Sequence, residues 1–238
     1  MIQNNYDSIL KEMFGLQRFG IKLGLATIRN ILKGLDNPQL RFACIHIAGT
    51  NGKGSVAAGI ASILQQAGYR TGLYTSPHLI DFNERICINA NQISNKEVVS
   101  AYKAVKKVHR GSREPTFFEF TTAMALYAFA RQNVDWAIIE TGMGGRLDAT
   151  NIIKPALSVI TNISLEHKMY LGNTIAKIAA EKGGIIKSRT PAVTATRQPA
   201  ALHVLKSIAE SKSAPFYQYG QDFRVRTNPN GSFNYYGL

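Results

Sequence analysis

An apolar run, a loop with three glycines around one lysine, and a run of small residues follow one another in HIAGTNGKGSVAAGI, residues 46–60. Few features narrow a fold more. Glycines let successive backbone N–H groups curl toward an anion, and a helix starting there adds free N–H groups and its positive end. The spacing departs from the common G-x-x-x-x-G-K-[ST] pattern. Only Thr50 and Asn51 separate Gly49 from Gly52, and Gly54 stands between Lys53 and Ser55. Asn51, Gly52, Lys53, Gly54 and Ser55 are the candidate phosphate ligands. Lys53 supplies a mobile charge for the β- and γ-phosphates of ATP, and the Ser55 hydroxyl a ligand for Mg2+. The plainer alternative is a glycine-rich turn with Lys53 solvated.

Hydrophobic periodicity extends the same plan along the chain. Helices are expected over 5–14, 21–35, 55–67, 95–110, 116–131, 172–187 (broken near Gly183 and Gly184) and 198–211. Ser94 with Glu97 predicts a capping box at the fourth of these. Strands are expected over 41–48, 70–75, 134–140, 157–161 and 192–194, with a small hairpin around 84–88 and Ile93. Turns are read at 111–115 and in NPNG near the end. The alternation predicts an α/β fold, a P-loop-type three-layer domain with a mostly parallel sheet covered by helices on both faces. The domain is expected over 1–215, with 216–238 its end or a transition toward a second domain. Ligands of such sheets bind at the carboxyl ends of the strands. Lys53, Ser76, Glu140 and His167 each follow or end a predicted strand, and so converge on one edge.

Composition excludes several classes. At 45% hydrophobic the chain can bury a core, and no run of about 18 apolar residues indicates a membrane span. The start, MIQNNYDSIL, lacks the layout of a signal peptide. Cys44 and Cys87 have no metal-like spacing, and a reducing, cytoplasmic setting fits them. The formal charge of +13 raises the question of nucleic acid. The basic residues are dispersed, densest at Lys103, Lys106, Lys107, His109, Arg110 and Arg113, without interleaved aromatics. No nucleic-acid partner is expected, and the field suits small polyanions.

Each polar candidate has more than one reading. Glu140 ends the apolar strand VDWAIIE, where it either holds a metal or accepts N–H bonds from the 141–145 turn. His167 is either a metal ligand, a water-orienting group or a structural histidine. Ser76 is a ligand or a turn former. Asp148 caps a helix or holds a substrate group. Lys182 is a solvated cation near a helix end, or a lysine held close to the metal site.

Taken together, GTNGKGS (49–55), YTSPHL (74–79), FNERICINA (82–90), PTFFEFTTAMAL (115–126), IIETGMGGRLDATN (138–151) and TNISLEHKMYLGNTIAKIAAEKGGIIK (161–187) closely resemble the folylpolyglutamate synthase and dihydrofolate synthase family, within the Mur ligase superfamily. The resemblance covers nearly the whole chain. It implies a ligase in which ATP phosphorylates a carboxylate and the amine of L-glutamate attacks the acyl phosphate, with folate or dihydropteroate as acceptor. It implies catalytic parts for Lys53, His167 and Lys182, and Ser55, Ser76, Glu140 and His167 at the magnesium site. Lys182 matches the lysine that family members can carbamylate. Phe82 and Arg85 fall in a mobile substrate-placing loop. With Phe117 and Asp148 they are the candidate substrate contacts, although Phe82, Phe117 and Phe118 read equally as core. A monomeric full-length protein is expected. The rivals are a Mur-type cell-wall precursor ligase, a phosphoryltransferase and a non-catalytic nucleotide-binding protein.

Three departures stand out. The family's usual Gly-Leu-Asp-His reads Ser164-Leu165-Glu166-His167, one methylene longer at Glu166. Its Glu-Lys-Ala-Gly reads Glu181-Lys182-Gly183-Gly184, which predicts a looser helix end and an altered presentation of Lys182. Family members also carry a second domain with adenine and glutamate contacts that closes over the first. Alone, this chain is expected to hold nucleotide phosphates weakly and not to ligate efficiently.

Overall fold

The computed structural model describes residues 2–20, 22–110 and 113–237. Helices α1 (Ile2–Gly15) and α2 (Ala26–Gly34) precede strand β1 (Ala43–Ala48), and α3 (Lys53–Gln66) leads from it to β2 (Thr71–Tyr74). A short hairpin, β3 (Ile86–Ile88) and β4 (Asn91–Gln92), is followed by α4 (Asn95–Val108), α5 (Phe117–Arg131) and β5 (Trp136–Glu140). Then come β6 (Leu157–Ile160), α6 (Lys168–Leu171), α7 (Ile175–Gly183), β7 (Ala192–Thr194), α8 (Pro199–Ser211) and β8 (Phe216–Gln218). An exposed hairpin, β9 (Arg224–Thr227) and β10 (Phe233–Tyr236), ends the described chain.

The strands form one sheet in the order β4-β3-β2-β5-β1-β6-β7-β8. The run from β2 to β8 is parallel, and β3 and β4 add antiparallel to its edge. Alternation along the strands decides which helix covers which face. Ile45, Ile47 and Ile138 point to α3 and bury Ala57 and Ala61 with them. Cys44, Tyr74, Ala137 and Ile139 point the other way, into the core with α1, α2, α4 and α5. Ala48, Ile160 and Ala192 continue that second face beneath α7 and α8. Both faces carry helices, as expected for the fold.

Boundaries moved for local reasons. The helix expected from 21 begins at Ala26, because residues 22–25 run irregularly with Gly24 at φ +143; Ile21 lies outside the described residues. So do Gly111 and Ser112, the first half of the expected 111–115 turn. The helix expected over 172–187 begins at Ile175, where Thr174 caps it by accepting from Lys177 N. It stops at Gly183, whose missing Cβ lets α8 come close: a methyl there would stand 2.7 Å from Ile208 Cδ1. Gly183 therefore serves helix packing and does not loosen Lys182, which is 1% exposed. β8 pairs with β7, so the sheet continues past residue 215. Among the described residues no helix is long and apolar enough to cross a membrane.

Candidate active site

β1 lies between β5 and β6, so the loop leaving it faces the ends of both neighbours. Strand β6 braces it. Thr161 Oγ1 donates to Asn51 O at 2.7 Å, Asn51 N donates to Asn162 Oδ1 at 3.0 Å, and Thr50 N donates to Asn162 O at 3.0 Å. Gly49 sits at φ +152, and a Cβ on it would fall 1.9 Å from Thr161 Oγ1. Only glycine fits that approach. Lys53 folds its ammonium back onto Gly49 O (3.0 Å) and Thr50 O (3.1 Å), poised over the loop. Ser55 lies in the first turn of α3 and is exposed.

Glu140 ends β5 and is buried. Its Oε2 accepts from Ser76 N at 3.0 Å, and a Cβ on Gly54 would lie 3.6 Å from the same oxygen. The carboxylate is thus held between the β2 loop and the start of α3. Burial raises its pKa, opposed by the Ser76 N–H and by the charges of Lys53 and Arg85. Its other oxygen has no hydrogen-bond partner among the described residues. A buried carboxylate with one free oxygen, next to the backbone of Ser76 and one residue from Ser55 along the loop, suits Mg2+, which takes few protein oxygens and completes its shell with phosphate and water. Among the described residues no three His, Cys, Asp or Glu side chains gather as metal ligands. His167 stands at the start of α6 in the left-handed region, φ 42, on the wall of the adjoining cavity.

Lys182 lies beneath the loop. Its ammonium donates to Gly49 O at 2.7 Å and to Glu166 Oε1 at 2.5 Å. Burial lowers its pKa and Glu166 raises it again. Glu166 therefore keeps a supporting part despite its extra methylene.

Next to Glu140 opens a cavity of about 450 Å³, walled by Phe117, Phe118, Met143 and Leu147 and bordered by Ser76, Arg85 and His167. Arg85 is 7% exposed, its Nε donates to His78 Nδ1 at 2.7 Å, and its guanidinium lies 5.2 Å from the Phe117 ring centre. Among the described residues it has no ion-pair partner, and neither Nη has a hydrogen bond. The Glu140 charge acts on it through space without contact, which leaves both Nη groups free to meet a further anion. Phe117 does line the cavity. Phe82 does not: it is 2% exposed and packs edge-on against Phe117 and His78, behind the wall. Asp148 reaches the wall, yet its oxygens are occupied. Oδ2 accepts from Gly142 N and Met143 N, and Oδ1 from Thr150 N and Thr150 Oγ1. It caps the turn Ala149–Ile152 and does for the 141–145 turn what Glu140 was an alternative candidate to do.

Three contributors were not singled out from sequence. Glu119, 2% exposed, pairs with Arg113 at 2.5 Å and accepts from Thr116 N at 2.8 Å, closing a capping box at α5. The Thr-x-x-Glu spacing in PTFFEF carried that signal. His78 and His46 carried none beyond being histidines in strand and loop. Burial pushes His46 down to about 3, helped by Lys187.

The fold and this edge define the class: an α/β domain with a glycine-rich loop after its central strand, a buried carboxylate beside that loop and an apolar cavity next to it. The Mur ligase middle domain matches residues 47–228, and the chain belongs to that family. It is similar to the dihydrofolate synthase/folylpolyglutamate synthase of Bacillus subtilis, 45% identical over 219 residues, 89% of this chain and 50% of that protein. A folylpolyglutamate synthase structure from Thermotoga maritima superposes with a TM-score of 0.90 at 40% identity, over 100% of this chain and 56% of that one. An FPGS–AMPPCP–folate complex does so with a TM-score of 0.89 at 36% identity, over 97% and 58%. The chain spans about half the length of these relatives.

Proposed function

We propose that the chain is the nucleotide- and acceptor-binding part of an ATP-dependent ligase that joins L-glutamate to the carboxylate of a folate or dihydropteroate through an acyl phosphate. One observation carries this reading: Ser76 on the rim of the aromatic cavity donates to Glu140, and the same Glu140 oxygen lies against Gly54 of the loop that would hold ATP. A flat acceptor between Phe117 and Met143 would bring its carboxylate to Arg85 and so toward the γ-phosphate. The similarity to a complex holding AMPPCP and folate together supports the same arrangement.

The chemistry asks two anions to meet. An acceptor carboxylate oxygen attacks the γ-phosphorus, a new P–O bond forms, and the bond to the β-phosphate oxygen breaks to release ADP. Lys53 and Arg85 lower the repulsion between the reactants. Ser55, Ser76 and Glu140 would hold Mg2+, with His167 orienting water at their edge; the ion supplies further charge neutralisation on the phosphates when bound. The amine of glutamate then attacks the acyl carbon and phosphate leaves. Phe117, Phe118 and Met143 keep water from the acyl phosphate. Lys182 supports the loop through Gly49 and is the proposed site of carbamylation. The proposed setting is a cytoplasmic monomer, in keeping with two unpaired cysteines.

Calorimetric titration of the chain with AMPPCP and with folate is expected to show both bind. Lys53→Ala should remove the first and Arg85→Ala the second. Phosphate release that needs folate or dihydropteroate together with L-glutamate assigns ligation. Phosphate transfer to a stable product without glutamate overturns it in favour of a phosphoryltransferase.

A further inference from the structure

Behind the cavity wall runs a polar chain that the ligation scheme does not use. His46, in the middle of β1, is 0% exposed. Its Nε2 lies 2.8 Å from Thr150 Oγ1, which lies 2.5 Å from Asp148 Oδ1. With Asp148 ionised, as its hydrogen-bond donors favour against the burial that raises its pKa, the direction of each bond follows. The N–H groups of Gly142, Met143 and Thr150 can only donate, so the Asp148 carboxylate accepts from all three. The Thr150 hydroxyl gives its proton to Oδ1 and must itself accept from the imidazole. His46 is therefore protonated on Nε2 and bare on Nδ1. That bare nitrogen is buried without a partner. Such an orphan costs stability that an apolar residue of similar size would not, which points to a use for Nε2. At the far end of the chain, Gly142, Met143, Asp148 and Ala149 all line the cavity.

We infer that His46 is a positioning residue for the acceptor: through Thr150 it fixes the Asp148 carboxylate, and through that the wall formed by residues 142–143 and 148–149. The inference rests on reading the cavity as the acceptor site. It concerns a residue that touches neither nucleotide nor acceptor.

The experiment combines two readouts on the 238-residue chain: amide hydrogen exchange at Gly142 and Met143, and affinity for folate and for AMPPCP. His46→Gln places an amide N–H where Nε2 stands and is expected to preserve all three. His46→Leu removes the donor together with the orphaned nitrogen, so the core is not left with a new unpaired group. It is expected to speed exchange at Gly142 and Met143 and to weaken folate roughly tenfold, the upper scale of one lost neutral hydrogen bond. AMPPCP affinity should stay unchanged. Thr150→Val breaks the next link and should reproduce the loss. Unchanged exchange in His46→Leu would overturn the relay whatever folate does. Faster exchange with undiminished folate affinity would overturn the positioning role. A wild-type chain that protects both amides yet binds no folate would instead overturn the acceptor reading, and the positioning role with it.

Discussion

Residues 49–55 are neighbours in sequence and take their shape largely from one strand end, whereas the cavity beside them draws on segments from residue 17 to residue 167. The two also differ in what they leave unfinished. In the loop, Lys53 rests on two carbonyls and Lys182 has both a carbonyl and a carboxylate. In the cavity, Arg85 is buried with a single hydrogen bond, to His78, an aromatic face beside it, and the Glu140 charge acting on it without contact. A site closed on its own backbone is preformed. A site holding a buried cation with hydrogen bonds to spare is completed by its ligand. Changes to the loop should therefore act on folding and nucleotide together, while changes to the cavity should separate acceptor from nucleotide.

The sharpest break is Gly49→Ala. A methyl group 1.9 Å from Thr161 Oγ1, on backbone at φ +152, cannot be absorbed by a rotamer change. The expected loss is more than about 3 kcal/mol of unfolding free energy in a urea titration, with no measurable AMPPCP binding. A stable variant that binds nucleotide would remove the loop's rigidity from the comparison. On the cavity side, Arg113→Ala leaves the buried Glu119 without its cation at the head of α5. Arg113 is itself partly exposed, so the loss should be about 2 kcal/mol, below the range for a fully buried pair. Folate affinity should fall and AMPPCP affinity hold. Equal losses of both ligands would show that the regions are not separable.

This contrast also governs what could be read from the sequence. The loop is contiguous, so its glycines, lysine and flanking strand and helix announced it directly. The sheet was legible for a related reason: short, nearly continuous apolar runs such as ACIHIA and WAIIE, each leading into a glycine-rich loop, fit doubly covered strands. The cavity was legible in residue type but not in placement. Phe82 and Phe117 are the same side chain in two recognisable motifs, and only the turn Phe82–Arg85 sends one behind the wall and leaves the other on it. Asp148 reaches the cavity wall, yet nothing local says that four donors already occupy its oxygens. The closeness of Ser76 to Glu140, 64 positions apart, followed from their places at two strand ends, and the resemblance added one metal site to hold both. His46 in an apolar strand looks like any core residue until Thr150, 104 positions away, is brought to it.

Acid sensitivity tests the cavity side with an effect of similar size that appears only at low pH. Burial depresses His46 from the usual 6.5 to about 3. Below about pH 6.5 the unfolded chain takes up a proton at this residue that the folded chain refuses. Stability from this group is thus present above that pH and is lost as pH falls toward 3. At pH 5 the loss is about 2 kcal/mol, and His46→Gln lacks it. The unfolding free energies of wild type and variant, compared at pH 7 and pH 5, should therefore shift relative to each other by about that amount. Parallel curves would mean that His46 is protonated in the fold and that the proton count of the relay is wrong.

The smallest expected effect falls on the loop side, at the one place where this chain lengthens the family's acid. Glu166→Asp withdraws the carboxylate by one methylene from an ammonium that it meets at 2.5 Å. Lys182 is 1% exposed and would keep Gly49 O as its remaining partner unless the 164–167 turn moves inward. That turn is tied to Thr50 by two bonds, Ser164 N to Thr50 Oγ1 at 3.1 Å and Thr50 Oγ1 to Ser164 O at 3.3 Å. Moving it pulls on the phosphate loop, and leaving it in place stretches the ion pair. Either route should cost about 1 kcal/mol, read by urea titration, with AMPPCP weakened by roughly threefold and folate unaffected. A folate effect as large as the nucleotide effect would join the two regions at Glu166. No effect on either would show that the longer side chain adds nothing to how Lys182 holds the loop.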